Sequence, residues 1–255
     1  MSDLSPNQVL DEAIAAAKEG RYEEALEKHV WYHENALRLR PSLCGVRLTY
    51  AIFAWRRLGY KYPTALERFR AMRDETARQL CGDETNSDLF SDLVTFNDIL
   101  DEPEKTVEVF RWLDANKPEK AKPAYIHAHP VLIEQHEYAL CGKYLVPKLA
   151  FEIAVATRNA HERIAVQKDK EGYKKQAIGL RHFANQSFSN TACTLVALLA
   201  VNDRKEEAEE YAAKFRGIAD DTTFHADLQK ALDGVVPKRW PPIEPRLWQE
   251  EFDKE

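Results

Sequence analysis

Apolar positions along this chain recur in short helical stripes, punctuated by the same kind of break. Near the start the break reads Glu19-Gly20-Arg21-Tyr22-Glu23-Glu24-Ala25-Leu26. Gly20 suits the left-handed cap of one helix, and the acidic residues suit the opening of the next. Ala25 is small enough for the two helices to approach closely. The second helix then runs to Arg40 and stops at Pro41. Comparable breaks follow at Leu58-Gly59-Tyr60-Lys61-Tyr62-Pro63-Thr64-Ala65-Leu66, at Leu100-Asp101-Glu102-Pro103-Glu104-Lys105-Thr106-Val107, at Cys141-Gly142-Lys143-Tyr144, and at Asn202-Asp203-Arg204-Lys205-Glu206-Glu207-Ala208. The pattern predicts a chain of helical hairpins. A final helix is expected over Thr222 to Leu232, closed by Gly234.

The repeated break resembles the tetratricopeptide-repeat family, whose second helix opens on Gly-x-Tyr-x-x-Ala and ends at a Pro. Phe110, Leu113 and Pro118 stand at that family's spacings, with Phe90 and Leu93 at its aromatic and Leu positions. The resemblance implies an all-α fold, a right-handed α-α superhelix of about five hairpins with a C-terminal capping helix. The turn residues Gly20, Gly59, Asp101, Gly142 and Asp203 lie 39, 42, 41 and 61 apart, against a family period of ~34. The hairpins are therefore longer than usual, and the wide final gap holds an insertion near 160–189. A loop is expected over Gln167 to Lys175, then a helix from Lys174 to Gln186. The solenoid is expected over 1–236, followed by a Pro- and Trp-rich tail over 237–255.

Composition supports helices: 9 Gly in 255 residues is few for folds built on turns and phosphate loops. A net charge of -6 argues against nucleic acid and anionic membrane surfaces as partners. The longest apolar run, Thr191 to Val201, is about half of the ~20 residues a membrane span needs. The start has neither the basic end nor the apolar run of a secretion signal. The four Cys are scattered without a C-x-x-C pair, which reads as reduced thiols in a cytoplasmic protein. No G-x-S-x-G elbow, P-loop or dinucleotide fingerprint occurs, so a non-enzymatic chain without cofactors is expected.

In such a repeat row the first helix of each hairpin lines the concave side. The register places Thr49, Tyr50, Phe53, Arg56 and Arg57 there from the second repeat. The third contributes Asp88, Ser91, Asp92, Thr95 and Asp98, and the fourth His129 and His136. Residues 56–78 hold seven basic and three acidic side chains, and residues 83–119 hold three and eleven. Two readings follow. The charges belong to solvated faces, with Arg56 or Arg57 paired to Asp88 or Asp92 across neighbouring repeats; or they form a bipolar groove for a protein or peptide partner. The Lys/Asn/Arg clamp that some family members use on a chaperone's C-terminal carboxylate is not reproduced, since the third repeat has Asp where a cation is needed.

His29 and His33, four apart on one helix face, have a spacing that can hold a metal, but the pair lacks further ligands and H-E-x-x-H is absent. His29 also falls where the family packs an aromatic, so both are read as packing residues. His127-Ala128-His129-Pro130 is expected to form a helix entry. The alternatives to a binding scaffold are a metal-dependent hydrolase built on the His groups and a self-associating structural protein. The tail with Trp240 and Trp248 covers the apolar edge of the last hairpin, enters the groove of a second copy as a homodimer, or meets a partner's Pro-binding module.

Overall fold

The computed structural model describes residues 5–82 and 88–241, apart from the Asp88 side chain. It is all-helical, with no strand among the described residues. The chain divides into two compact units, 1–131 and 132–255, so the stretch 1–236 read as one array spans the boundary.

In the first unit α1 (Pro6–Lys18) and α2 (Tyr22–Leu39) pair as a hairpin. A 3-10 turn (Pro41–Leu43) leads into α3 (Cys44–Val46), a π turn (Arg47–Ala51) and α4 (Ile52–Lys61). Backbone angles stay right-handed helical through these joins, so residues 44–61 form one helix with a widened turn. Then follow α5 (Pro63–Cys81), α6 (Asp88–Leu100), α7 (Glu104–Asn116) and α8 (Pro118–Glu134), the last running past residue 131. Besides sequential neighbours, α4 packs on α6 and α5 on α7. Trp55, Phe69 and Phe96 form the middle of this unit's core, with Phe69 edge-on to both others at 5.3 and 5.0 Å.

The second unit is built around one long helix. It contains α9 (Tyr138–Tyr144), α10 (Pro147–Lys170), α11 (Lys174–Val201), α12 (Lys205–Arg216) and α13 (Thr222–Leu232). α11 packs against each of the other four. Its last four turns carry Phe188, Ala192, Val196 and Leu199 into a core shared with Phe215, Phe224 and Leu228.

Two kinds of connection account for most of the topology. At Gly20, Asp101, His136, Gly172 and Asp203 the backbone turns left-handed, with φ between 59 and 87°. Each time the next residue's N–H reaches back five residues: Arg21 to Ala16, Glu102 to Asn97, Glu137 to Leu132, Tyr173 to Lys168 and Arg204 to Leu199, at 2.8 to 3.0 Å. This Schellman bond satisfies a carbonyl that the helix end leaves open, and a new helix starts one residue later, or two after Glu102. Gly234 ends α13 in the same way. The second kind uses proline. Pro41, Pro63, Pro118 and Pro147 each begin a helix. Helical backbone is disfavoured for the residue before a proline, and at these joins Arg40, Tyr62 and Val146 are extended.

The observed helices correct four expectations. Gly59 lies inside α4, and the turn comes three residues later at Tyr62, where Pro63 imposes it. Gly59 is instead a contact point: a Cβ there would sit 3.1 Å from Cβ of Leu66. Gly142 lies inside α9, and the left-handed turn of that hairpin falls on His136. The expected loop at 167–175 shrinks to Glu171-Gly172-Tyr173, because α10 continues to Lys170 and α11 runs unbroken to Val201. The insertion lengthens two helices. Likewise α8 begins at Pro118 and passes through Pro130, so the His127–Pro130 stretch is not its entry. Pro130 withdraws an N–H from the helix; Nδ1 of His129 lies 3.1 Å from the Ile126 carbonyl that would have received it.

Gly142 is a sensitive point of the second unit. A Cβ there would fall 2.3 Å from Cγ and Oδ1 of Asn202, and Asn202 is held by donating to the carbonyls of Tyr138 and Leu198 at 2.9 and 2.8 Å. Gly142→Ala is expected to cost ~1–3 kcal/mol in urea unfolding, and Asn202→Ala in the same chain to recover part of it. Strictly additive losses would show that the two residues do not meet.

Candidate functional site

The exposed residues of the groove reading rest on a buried polar bracket. Arg47, on the π turn, is almost fully buried. Its Nη1 and Nη2 donate to the two carboxylate oxygens of Asp92 on α6, each at 2.6 Å. Nε donates to the carbonyl of His33 at 2.9 Å, and Nη2 also stands 2.9 Å from Nε2 of His33. A guanidinium only donates, so His33 accepts at Nε2 and carries its proton on Nδ1. One side chain thus joins α2, the π turn and α6. π turns inside α-helices mark places where a residue is displaced for a purpose; here the displaced residue is the cation of a buried ion pair.

Aromatic rings close the bracket. His29 lies nearly parallel to Trp55 at 6.1 Å, and His33 meets Trp55 and Phe96 at 6.3 and 5.1 Å. Burial pushes His29 down to about 4. Burial, and secondarily the Arg47 charge, hold His33 well below the ordinary imidazole range. Both are neutral at pH 7. His29 Nε2 and the Tyr32 hydroxyl are buried without a hydrogen-bond partner among the described residues. A second bracket ties α5 to α6 and α7: Arg73 Nη1 donates to Asn97 Oδ1 at 3.0 Å and to Glu102 Oε2 at 2.7 Å, and Asn97 Nδ2 donates to Thr106 at 3.0 Å.

The nine residues of the groove reading divide accordingly. Asp92 is buried and bound by Arg47, a cation that sequence reasoning did not single out, because a lone Arg in a helical pattern carries no sign of burial. Tyr50 is exposed, Phe53 is half-buried against the Trp55 core, and Arg57 is exposed. Arg56 lies over the ring of Tyr60 at 5.7 Å, and Tyr60 is exposed. Spacings of three, four and three put Tyr50, Phe53, Arg57 and Tyr60 along one side of this helix. On α6, Asp98 is exposed, on the side that carries Ser91 and Thr95. The side chain of Asp88 lies outside the described residues. His129, on α8, stands 5.7 Å from Tyr125. His136 belongs to the second unit, exposed at a left-handed turn with Nδ1 2.8 Å from the Tyr138 hydroxyl.

Among the described residues no three His, Cys, Asp or Glu side chains gather as metal ligands, and no helix is long and apolar enough to cross a membrane. Cys193 is buried, with its thiol pushed up to about 11, chiefly by burial. No protein-family model and no curated protein matches the chain.

Two consequences are measurable. Asp92→Ala leaves a buried guanidinium unpaired and is expected to cost ~3–5 kcal/mol in denaturant unfolding; Arg47→Met with Asp92→Leu should restore most of it. A buried imidazole held near 4 binds fewer protons than the unfolded chain's, near 6.5. Its stabilisation is therefore complete above ~6.5 and drains away as pH falls toward 4. His29 alone should lower stability by about 2 kcal/mol between pH 7 and 5. His29→Phe should flatten that slope in urea midpoints measured across the range; an unchanged slope would mean that His29 titrates normally.

Proposed function

We propose that this chain is a non-enzymatic helical-repeat protein of the tetratricopeptide type that binds a protein or peptide on the side presented by α4 and α6. The observation that carries this reading is the division of labour in the first unit. The polar residues able to do chemistry, His29, His33, Arg47 and Asp92, are buried and engaged in packing or in each other. The surface of the π turn and α4 carries aromatic and cationic residues, Tyr50, Arg56, Arg57 and Tyr60. Tyrosine and arginine are the side chains that carry binding energy at protein interfaces, through large rigid area and planar charge recognition.

The sequential packing of helices, with α4 on α6 and α5 on α7, supports a superhelical arrangement of first helices on one side. The partner that suits this side is a charged peptide, with carboxylates over α4 and cations near Asp98 on α6. Its affinity falls with salt, because exposed charges are screened over ~10 Å at 0.1 M.

The test is a charge-graded array of short mixed-sequence peptides, with binding of the full chain measured by fluorescence anisotropy. Peptides with an acidic segment are expected to bind best. Arg56→Glu with Arg57→Glu should weaken them at least tenfold without changing helicity. Equal affinity of the double variant for the same peptides would remove the assignment of this side.

A further inference from the structure

A second surface, in the other unit, is independent of the binding reading. α10 packs on α11 through Ala154 and Ala165. Another side of the same helix carries Leu149, Ile153, Ala156 and Ala160, spaced four, three and four, with Ile164 one turn further and Val146 immediately before the helix at its N-cap. This is the spacing of a helix seam that expects a second element against it. The aliphatic members are uncovered: Val146, Leu149, Ile153 and Ile164 are 50, 52, 48 and 49% exposed. Scattered apolar residues at a surface need no explanation, but a row of half-exposed aliphatics along one helix face does.

The course of the tail points to what covers it. After α13 the chain turns back along α11. Asn190 Nδ2 donates to the Lys238 carbonyl at 2.7 Å, Arg239 reaches Glu134 at 3.4 Å, and the Trp240 ring lands 4.9 Å from Phe183. Phe183 in turn lies 5.2 Å from His161. His161 is three residues before Ile164 on α10, so the two are neighbours on the helix surface. Trp240 therefore brings the chain to the flank of the exposed seam.

The residues that follow, 242–255, include Ile243, Leu247, Trp248 and Phe252 and carry five acidic side chains against two basic ones. The end of the α10–α11 hairpin has the opposite balance, with seven Lys and Arg against three Asp and Glu over 158–182. Length is sufficient: 14 extended residues reach up to ~46 Å, and the seam from Val146 to Ile164 is ~27 Å long. We infer that residues 242–255 dock on the Val146–Leu149–Ile153–Ile164 face of α10 in the same chain, with their apolar side chains on the seam and their acidic ones toward the basic end of the hairpin.

Photo-crosslinking on the full chain tests this. A benzophenone amino acid replaces Ala156, in the middle of the seam, and adducts are mapped by mass spectrometry after irradiation at low concentration. The expected product is a monomeric chain crosslinked within itself to residues 242–255. Ile153→Glu with Ile164→Glu should reduce that product at least fivefold. Both positions are half exposed, so circular dichroism and the melting temperature serve as the control for folding. Trp248→Ser, which leaves α10 unchanged, should reduce the product similarly. Crosslinks between two chains would assign the seam to a second copy and overturn the inference. So would the absence of adducts in 242–255, or an intrachain yield unmoved by all three changes.

Discussion

A guanidinium out of water is costly unless each of its donors is met, and the first unit is organised around meeting those of Arg47. The widening of one helical turn at Arg47–Ala51 sets this side chain inside the unit, where α2 and α6 each supply acceptors. The paired Asp92 oxygens fix α6, and the His33 carbonyl and imidazole fix α2. Hydrophobic contacts around Trp55 tolerate small slips between helices. A bidentate ion pair with two further acceptors does not, because its bonds weaken steeply with angle. The exposed row on α4 inherits its position from this bracket.

The second unit solves its packing problem by length. α11 is long enough for its C-terminal half to be the common partner of α9, α10, α12 and α13. Its N-terminal half pairs mainly with α10, through small residues such as Ala165 and Ala177 on their respective helices. Small contact residues let two helices lie close without the bulky interlock that would demand a third layer. Among the described residues one side of α10 in that hairpin is left uncovered, and its aliphatic residues stand half exposed there.

Neutral histidines inside the first unit exchange one requirement for another. As aromatic rings, His29 and His33 pack on Trp55 much as a phenylalanine would; as imidazoles they must stay unprotonated. The Arg47 charge helps to keep His33 neutral, and the ring returns an acceptor to Arg47. Packing, charge and proton occupancy are thus coupled through one pair of residues.

The helical class, the hairpin connections at Gly20, Asp101 and Asp203, the final helix and its Gly234 cap were legible in the residues, because left-handed caps and apolar periodicity are local properties of the chain. The proline joins were legible in principle for the same reason. Local signals could not tell a capping glycine from one that clears space: Gly59 and Gly142 look like turn residues, and only their neighbours Leu66 and Asn202 reveal the contact. Nor could they expose His136 as a turn, since a histidine adopts left-handed backbone only occasionally and nothing in its neighbours along the chain marks it. The candidate surface on α4 followed from register, while the burial of Asp92 did not. An aspartate's partner 45 residues away is decided by which helices lie side by side, and that is a property of the folded chain alone.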